Sequence, residues 1–354
     1  MRSLLSGICL LFLLNAASAQ RPITPEEAQA VAQWIETATN SGNANVLNHF
    51  IDVDTLLARV GQKSEVMQDP EFRRGFSESF AKSFTNYGTK IVASIQKGNY
   101  RLLHEYESGG DRHLLFRMFG SGGLNYHDYT LIRVKDSIKA ADVRLYSTDE
   151  LMSVTLSRLT DMMSPGKSQD EADAFVHISS ENNQQHYAAV KEIYDKTDEK
   201  IRNNKTIQLI YISACHHIDS KSYQDALEHF SQLYPDAAPA YLLMIDLYLL
   251  QKNYEKGLAA IDKIDKLVNE DKVLDYFRGN YYRAAGKPAE SIACLERVYH
   301  YDPTISLTVH LLVRSYEEEG EKAKAKKVMD DFKKSNAFHA AEFSDLAGLY
   351  PDLK

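Results

Sequence analysis

The chain has 354 residues, of which 44% are hydrophobic and 25% are charged, a composition typical of globular proteins. Its formal net charge of −8 argues against a nucleic-acid partner, because phosphate binding needs a basic surface. Three cysteines in a chain of this length are too few for a fold built on disulfides.

Residues 1–19 have the layout of a secretory signal peptide. Arg2 precedes an apolar run from Ile8 to Leu14, and Ala17 and Ala19 flank the small residue Ser18 at the expected cleavage position. The apolar run is far shorter than the ~20 residues that a helix needs to cross a bilayer. We therefore expect an exported protein, periplasmic or secreted, without an integral membrane segment. About 335 residues would remain after cleavage, enough for two domains.

The first domain is predicted to span residues 20–163 and to be α+β. Thr24 is a suitable N-cap for a helix that starts at Pro25, and apolar spacing predicts further helices at about 45–60 and 69–86. The period then changes to two, and short glycine-containing turns separate four strand-like runs, at 100–107, 112–119, 124–134 and 137–146. A helix over about 148–163 follows. This order of elements resembles the NTF2-like and cystatin-like folds.

A period of 34 residues runs through the C-terminal part of the chain. It relates Tyr248 to Tyr282 and Tyr316, and Gly286 to Gly320. Small residues keep the same step, and so do larger apolar ones: Gly257, Ser291 and Ala325, then Ile261, Leu295 and Met329, then Ile264, Val298 and Phe332. Sequence repeats of this length indicate a solenoid of stacked units, since one helical hairpin cannot bury its apolar face alone.

These columns resemble the tetratricopeptide repeat, a pair of antiparallel helices, here called helix A and helix B of each unit. "GNYY" at 279–282, Gly286, Ser291 and Pro303 match its slots, whereas Asp275 replaces the usual large residue early in helix A. The resemblance implies four units over about 207–339, within a solenoid domain over 206–354 that ends in a cap helix. Residues 164–205 are then a linker with a possible degenerate hairpin.

In this family the inner face of helix A binds peptides, so the resemblance implies a protein or peptide partner. Asn280 and Arg314 occupy the same column in successive units and are suited to hold carbonyl or carboxylate groups. The lysines of a carboxylate clamp are absent from the matching positions. The implied groove residues are Tyr211, Leu242, Asp246, Tyr276, Asn280, Arg283, His310 and Arg314.

A second hypothesis places a ligand pocket in the N-terminal domain. Strand alternation puts Tyr126 and Asp128 on one face of their strand and His127 on the other, so His127 and Asp128 cannot act as a dyad. The tandem pair His216 and His217 lacks the spacing of a metal site, and His217 falls in the tyrosine column, which predicts a packing role.

No catalytic motif is present in the sequence, and we expect neither a cofactor nor a metal. Cys215 and Cys294 lie in units 1 and 3 of the repeat and are interpreted as structural. The leading interpretation is a non-catalytic, exported interaction protein of a bacterial cell envelope that binds a protein or peptide through its solenoid. The alternative is an enzyme or small-molecule binder that uses the N-terminal domain.

Overall fold

The structure, a computed structural model, describes residues 21–162, 169–235 and 238–353. The predicted signal peptide and residues 164–168 of the predicted linker therefore lie outside the described residues. Within the described part, an antiparallel sheet is covered by helices on one face and by a helical solenoid on the other.

Five helices precede the sheet: α1 (Pro25–Asn40), α2 (Asn45–Phe50), α3 (Val53–Gly61), α4 (Pro70–Phe84) and α5 (Tyr87–Ser94). A capping box starts α1 as predicted, because Thr24 and Glu27 each accept a hydrogen bond from the other's backbone N–H. The single helix predicted at 45–60 is wrong. The chain is extended at Ile51, the backbone N–H of Asp52 donates to the carbonyl of Ala140 in the sheet (2.8 Å), and Asp52 caps α3.

The strands form a meander with the order β1-β2-β3-β4-β5, and every neighbouring pair is antiparallel. Their bounds are β1 (Asn99–Ser108), β2 (Asp111–Gly120), β3 (Gly123–Val134), β4 (Ser137–Leu145) and β5 (Glu150–Leu151). The predicted α+β class and four-stranded meander are confirmed. The two-residue β5 adds an edge strand, and the helix that follows, α6 (Met152–Met162), starts later than the sequence predicts.

Both faces of the sheet are buried. Side chains alternate along a strand, so Leu114 and Phe116 pack against the N-terminal helices while Leu115 and Phe119 point toward the solenoid. Every residue of β2 from Leu114 to Gly120 is consequently buried. β2 therefore contributes side chains to the core of the N-terminal region on one face and to the core of the solenoid on the other.

The solenoid consists of helical hairpins that pack in sequence. The helices α7 (Gln169–Asn183), α8 (Tyr187–Lys196) and α9 (Glu199–Arg202) come first, and α7 and α8 pack on each other and on α10. Four hairpins then follow as α10 (Lys205–Ile218) with α11 (Ser220–Leu233), α12 (Ala238–Leu250) with α13 (Tyr254–Leu267), α14 (Leu274–Ala284) with α15 (Pro288–Tyr301), and α16 (Ser306–Glu318) with α17 (Lys322–Phe332). The last helix is α18 (Ser344–Leu349).

Local geometry explains the repeated glycine and small-residue columns. Gly286 and Gly320 end helix A of units 3 and 4 with φ of +70° and +74°, a conformation that glycine adopts without steric cost. Lys252 holds the same slot in unit 2 with φ of +56°. A Cβ atom on Gly257 would lie 1.9 Å from the Tyr281 ring, so this helix B position needs glycine for the close approach of the next helix. Among the described helices, none is both long and apolar enough to cross a membrane.

Candidate functional site: a cleft between the sheet and the solenoid

The sheet lies directly on part of the helix A surface of the solenoid. Leu115 and Tyr126 share a buried apolar cluster with Ile245 of α12 and Leu274 of α14. The ring of Phe119 makes edge-to-face contacts with Tyr276 and Phe277, with ring centroids 5.2 and 5.7 Å apart. The helix A face that the sequence predicts as a peptide-binding surface is thus covered, at units 2 and 3, by this protein's own sheet.

A buried polar network fixes this contact. The Arg117 guanidinium donates to Asp271 (2.6 Å), in the loop before α14, and both side chains are fully buried. The Tyr126 hydroxyl donates to the other carboxylate oxygen of Asp271 (3.0 Å), and burial keeps it protonated by raising the pKa of Tyr126 well above its ordinary value. Arg117 also donates to Asn99 (2.8 Å), whose amide donates to Asp302 of the solenoid (2.6 Å).

The two residues predicted to line an N-terminal pocket lie in or beside this contact. Tyr126 is fully buried, and Asp128 accepts a hydrogen bond from the Tyr106 hydroxyl (2.6 Å) and lies 3.2 Å from His113 Nδ1. His127 is on the opposite face, as strand alternation predicts, with its Nδ1 3.0 Å from the Tyr100 hydroxyl. Burial lowers the pKa of His127 to about 3, so this histidine is neutral at physiological pH.

Beside the covered surface, a cleft of about 660 Å³ separates the sheet from units 1 and 2 of the solenoid. One wall is formed by residues of α10 and α12 whose spacing of three and four places them on one face of each helix. The other wall is the β2–β3 turn (121–124) together with Ser147 and Thr148. The solenoid wall comprises Leu209, Ile212, Ser213, His216 and His217 of α10, Tyr223 of α11, Pro239, Leu242, Leu243, Ile245 and Asp246 of α12, and Phe277 of α14. We call this space the units 1–2 cleft.

Asp246 brings a carboxylate into this largely apolar cleft. Its side chain is exposed to the cleft and accepts a hydrogen bond from the buried Tyr223 hydroxyl (3.0 Å). The surrounding protein walls raise the pKa of Asp246, and the hydrogen bond from Tyr223 and the nearby His216 offset part of this effect. The His216 ring lies edge-to-face on Tyr223, with centroids 4.9 Å apart.

The structure distributes the eight predicted groove residues among different environments. Leu242 and Asp246 line the units 1–2 cleft, whereas Tyr276 lies beneath Phe119 and its hydroxyl interacts with Asn280. Tyr211 stacks on Tyr194 of α8, with ring centroids 3.6 Å apart. The sequence-based list treats all units alike, because the repeat columns carry no information about which units the sheet covers.

The remaining predicted residues are engaged by neighbouring side chains. Arg283 and Arg314 both bind the carboxylate of Glu318, at 2.6 and 2.9 Å. His310 Nε2 lies 2.9 Å from Asp345 in the C-terminal cap. The two guanidinium groups share one carboxylate, which partly neutralises them, and His310 already has Asp345 as a hydrogen-bond partner. They offer a ligand less free charge than the sequence suggests.

The sequence-based interpretation missed the histidines of the cleft. His217 was expected to pack in the core, but it is exposed and stacks on Tyr187, with ring centroids 4.3 Å apart. It lies in the last turn of α10 and lines the cleft. The series Leu209, Ile212, Ser213 and His216 is the signal that identifies the open face of helix A in unit 1.

The cysteines and acidic groups show no reactive arrangement within the described residues. In that part of the chain, no three histidine, cysteine, aspartate or glutamate side chains are grouped so that they would hold a metal ion. Cys215 and Cys294 are buried free thiols, and burial raises the pKa of each. A raised thiol pKa lowers the thiolate fraction and therefore the reactivity.

Stacked antiparallel hairpins with a helix A face define the C-terminal part as a helical-repeat solenoid of the kind that mediates protein–protein interactions. A tetratricopeptide-repeat family profile matches residues 217–276, from the end of α10 to the start of α14. The helical C-terminal region is therefore a tetratricopeptide-repeat region, joined to an N-terminal α+β region. No curated protein and no solved structure matches the chain.

Proposed function

We propose that this chain is a non-catalytic interaction protein that binds a segment of another protein in the units 1–2 cleft. The proposal rests on one observation: the sheet covers the helix A face of some units of the solenoid and leaves that of others open. Units 2 and 3 present this face to the sheet, whereas the parts of units 1 and 2 that line the cleft remain open. A tetratricopeptide-repeat region suggests a protein partner, and the open part of its helix A face is the place for one.

The dimensions and lining of the cleft support this proposal. Its volume of about 660 Å³ lies within the ~300–1,000 Å³ of typical ligand sites, room for a few side chains of a bound segment. Leu209, Leu242 and Leu243 offer apolar surface, and Ser147, Thr148 and Ser213 add hydroxyl groups at its edges. Apolar surface supplies affinity when it is removed from water, while a few polar groups orient the bound chain.

The sheet is the second wall of the proposed site, which distinguishes it from an isolated repeat groove. The β2–β3 turn faces α10 and α12 across the cleft, and the Arg117–Asp271 network holds the sheet in place. A preformed two-sided site loses less conformational entropy on binding than a site that must assemble. The N-terminal region therefore contributes to recognition without holding a pocket of its own at Tyr126, which is fully buried.

The proposal includes the location of the protein. The layout of residues 1–19 supports export through a signal peptide, and the family resemblance supports a bacterial envelope, periplasmic or secreted. Cell fractionation followed by N-terminal sequencing of the mature chain tests this part. Export predicts a mature chain that starts at Gln20; a cytoplasmic chain that retains Arg2 would contradict it.

Site-specific photo-crosslinking in cells tests the binding site. A photo-reactive amino acid at Ser213, an exposed position inside the cleft, should form adducts with one segment of a partner protein, which mass spectrometry identifies. The same amino acid at Ser79, an exposed position on α4, is the matched control and should not form them. The variant Ser213→Trp fills the cleft and should abolish binding of the identified segment, whereas Ser79→Trp should not.

Two results would contradict the proposal. One is equal crosslinking of the same partner segment from Ser79 and from Ser213. The other is unchanged binding by Ser213→Trp, provided that its circular dichroism spectrum and its melting temperature match those of the wild type.

A further inference from the structure

The charges around the units 1–2 cleft are one-sided. Among the described residues that line the cleft, Asp246 is the only acidic one, and none is a lysine or arginine. The ion pairs formed among the described residues do not include Asp246, although it accepts the hydrogen bond from Tyr223. Within the described residues, its second carboxylate oxygen is thus held by no ion pair.

The surroundings of Asp246 favour a cationic partner. The pKa of Asp246 is raised because the protein around it removes part of the water that solvates its carboxylate. A cation that approaches this carboxylate stabilises its charged form, because the ion pair replaces part of the lost solvation. Tyr223 fixes the carboxylate from behind by a hydrogen bond of 3.0 Å, which leaves an oriented acceptor toward the cleft. An anionic ligand would meet this charge without compensation from a lysine or arginine among the described residues of the lining.

The apolar residues that line the cleft restrict the type of cationic group that fits there. Leu242 and Leu243 lie within one helical turn of Asp246, and Leu209 and Ile212 face them from α10. A lysine or arginine side chain combines an aliphatic stem with a charged end group, so it satisfies both parts of such a surface. Apolar neighbours in the same bound segment would cover the rest of the leucine and isoleucine wall.

We propose that the units 1–2 cleft binds an apolar peptide segment that carries one lysine or arginine, with Asp246 as the ion-pair partner of that side chain. The inference rests on the proposed function and specifies its ligand. It reverses the polarity that the sequence suggests for Asn280 and Arg314, which were expected to hold carbonyl or carboxylate groups. The guanidinium group of Arg314 already forms an ion pair with the carboxylate of Glu318.

A random dodecapeptide library displayed on phage provides the test, with the purified chain as bait. Peptides bound by the wild type but not by Ser213→Trp are those that depend on the cleft. We expect lysine or arginine flanked by apolar residues to be enriched among them. The variant Asp246→Asn should lose this enrichment, and Asp246→Lys should select acidic peptides instead.

One selected peptide and its glutamine-substituted version then allow a quantitative test by fluorescence anisotropy. The wild type should bind the basic peptide about tenfold more tightly than the glutamine version, the usual size of a charge-assisted hydrogen bond. In Asp246→Asn this difference should disappear. The matched control is Asp136→Asn, which removes an exposed carboxylate in the β3–β4 turn and should keep the tenfold difference.

The outcomes separate the two proposals. Cleft-dependent peptides without preference for a basic residue would overturn the ion-pair assignment and leave the binding site intact. A library without any cleft-dependent peptide would overturn the proposed function and this inference with it. A dimer of the chain that sedimentation detects and that Ser213→Trp abolishes would show that the occupant is a second copy, which also overturns the inference.

Discussion

Removing the carboxylate of Asp271 should uncouple the sheet from the solenoid. In Asp271→Ala the Arg117 guanidinium loses its partner at 2.6 Å while it remains fully buried, and the Tyr126 hydroxyl loses its acceptor at 3.0 Å. The backbone N–H of Val273, which Asp271 caps at 3.0 Å, also loses its partner. One substitution therefore removes the counter-ion of Arg117, which keeps only its hydrogen bond to Asn99, and leaves two donors in the interface without acceptors.

The size of the effect follows from these losses. Breaking a buried ion pair by removing one partner costs about 3–5 kcal/mol, because the remaining charge stays desolvated. A buried donor left without a partner adds about 1–3 kcal/mol, although losses within one network are not additive. We expect a loss of about 4 kcal/mol, a large fraction of the ~5–15 kcal/mol that stabilise a typical domain. The double variant Arg117→Met with Asp271→Leu removes both charges and should be less destabilised than Asp271→Ala.

Urea unfolding followed by two probes measures the effect in the two regions. Trp34, the only tryptophan, lies in α1 and reports on the N-terminal region through its fluorescence. Far-ultraviolet circular dichroism reports mainly on the solenoid helices. The two transitions should coincide in the wild type and separate in Asp271→Ala, where the interface no longer links the regions.

The control is Asp262→Ala, which removes a carboxylate from the surface of α13. Asp262 is 59% exposed, and its partner Arg278 keeps Asp265 and Asp275 as ion-pair partners. The change should therefore cost less than about 1 kcal/mol. The reasoning is refuted if Asp271→Ala costs no more than this control, or if the double variant is as unstable as the single one.

Three further predictions concern particular residues. Gly257→Ala should destabilise the solenoid by about 1–3 kcal/mol in urea unfolding, because the added methyl group would clash with the buried Tyr281 ring. The control Gly75→Ala, on α4 with no atom near the added methyl group, should stabilise the protein by up to about 1 kcal/mol. Burial lowers the pKa of His127 to about 3, against about 6.5 in the unfolded chain, so the free energy of unfolding should fall by about 2 kcal/mol as the pH drops from about 6.5 to 5. His127→Gln should abolish this part of the pH dependence, and an unchanged slope would contradict the prediction. Because the pKa of Asp246 is raised in the folded protein, its negative charge destabilises the fold at pH values above that pKa. Asp246→Asn should therefore raise the melting temperature at pH 7, and this increase should become smaller as the pH falls. An equal increase at all pH values would show that the charge of Asp246 is not its cause.

Local patterns in the sequence predict most of the secondary structure because their causes are local. The alternation along residues 100–146 and the short turns between the runs predict the four main strands, and the capping box at Thr24 predicts the start of α1. The helix predicted at 45–60 fails for a nonlocal reason. Its apolar spacing is continuous, but the backbone of Asp52 bonds to Ala140 in a strand about ninety residues away along the chain.

The sequence by itself determined the repeat, because each unit needs the same small, apolar and glycine residues to stack on the next, as Gly257 and Gly286 illustrate. Only the tertiary structure decided which units keep an open helix A face. The Arg117–Asp271 pair joins the two regions, and Phe119 of the sheet packs on Tyr276. Leu242 and Asp246 line the open cleft beside this contact. A periodic pattern describes contacts between neighbouring units. The position of the sheet depends on long-range burial and charge pairing, which follow no period in the sequence.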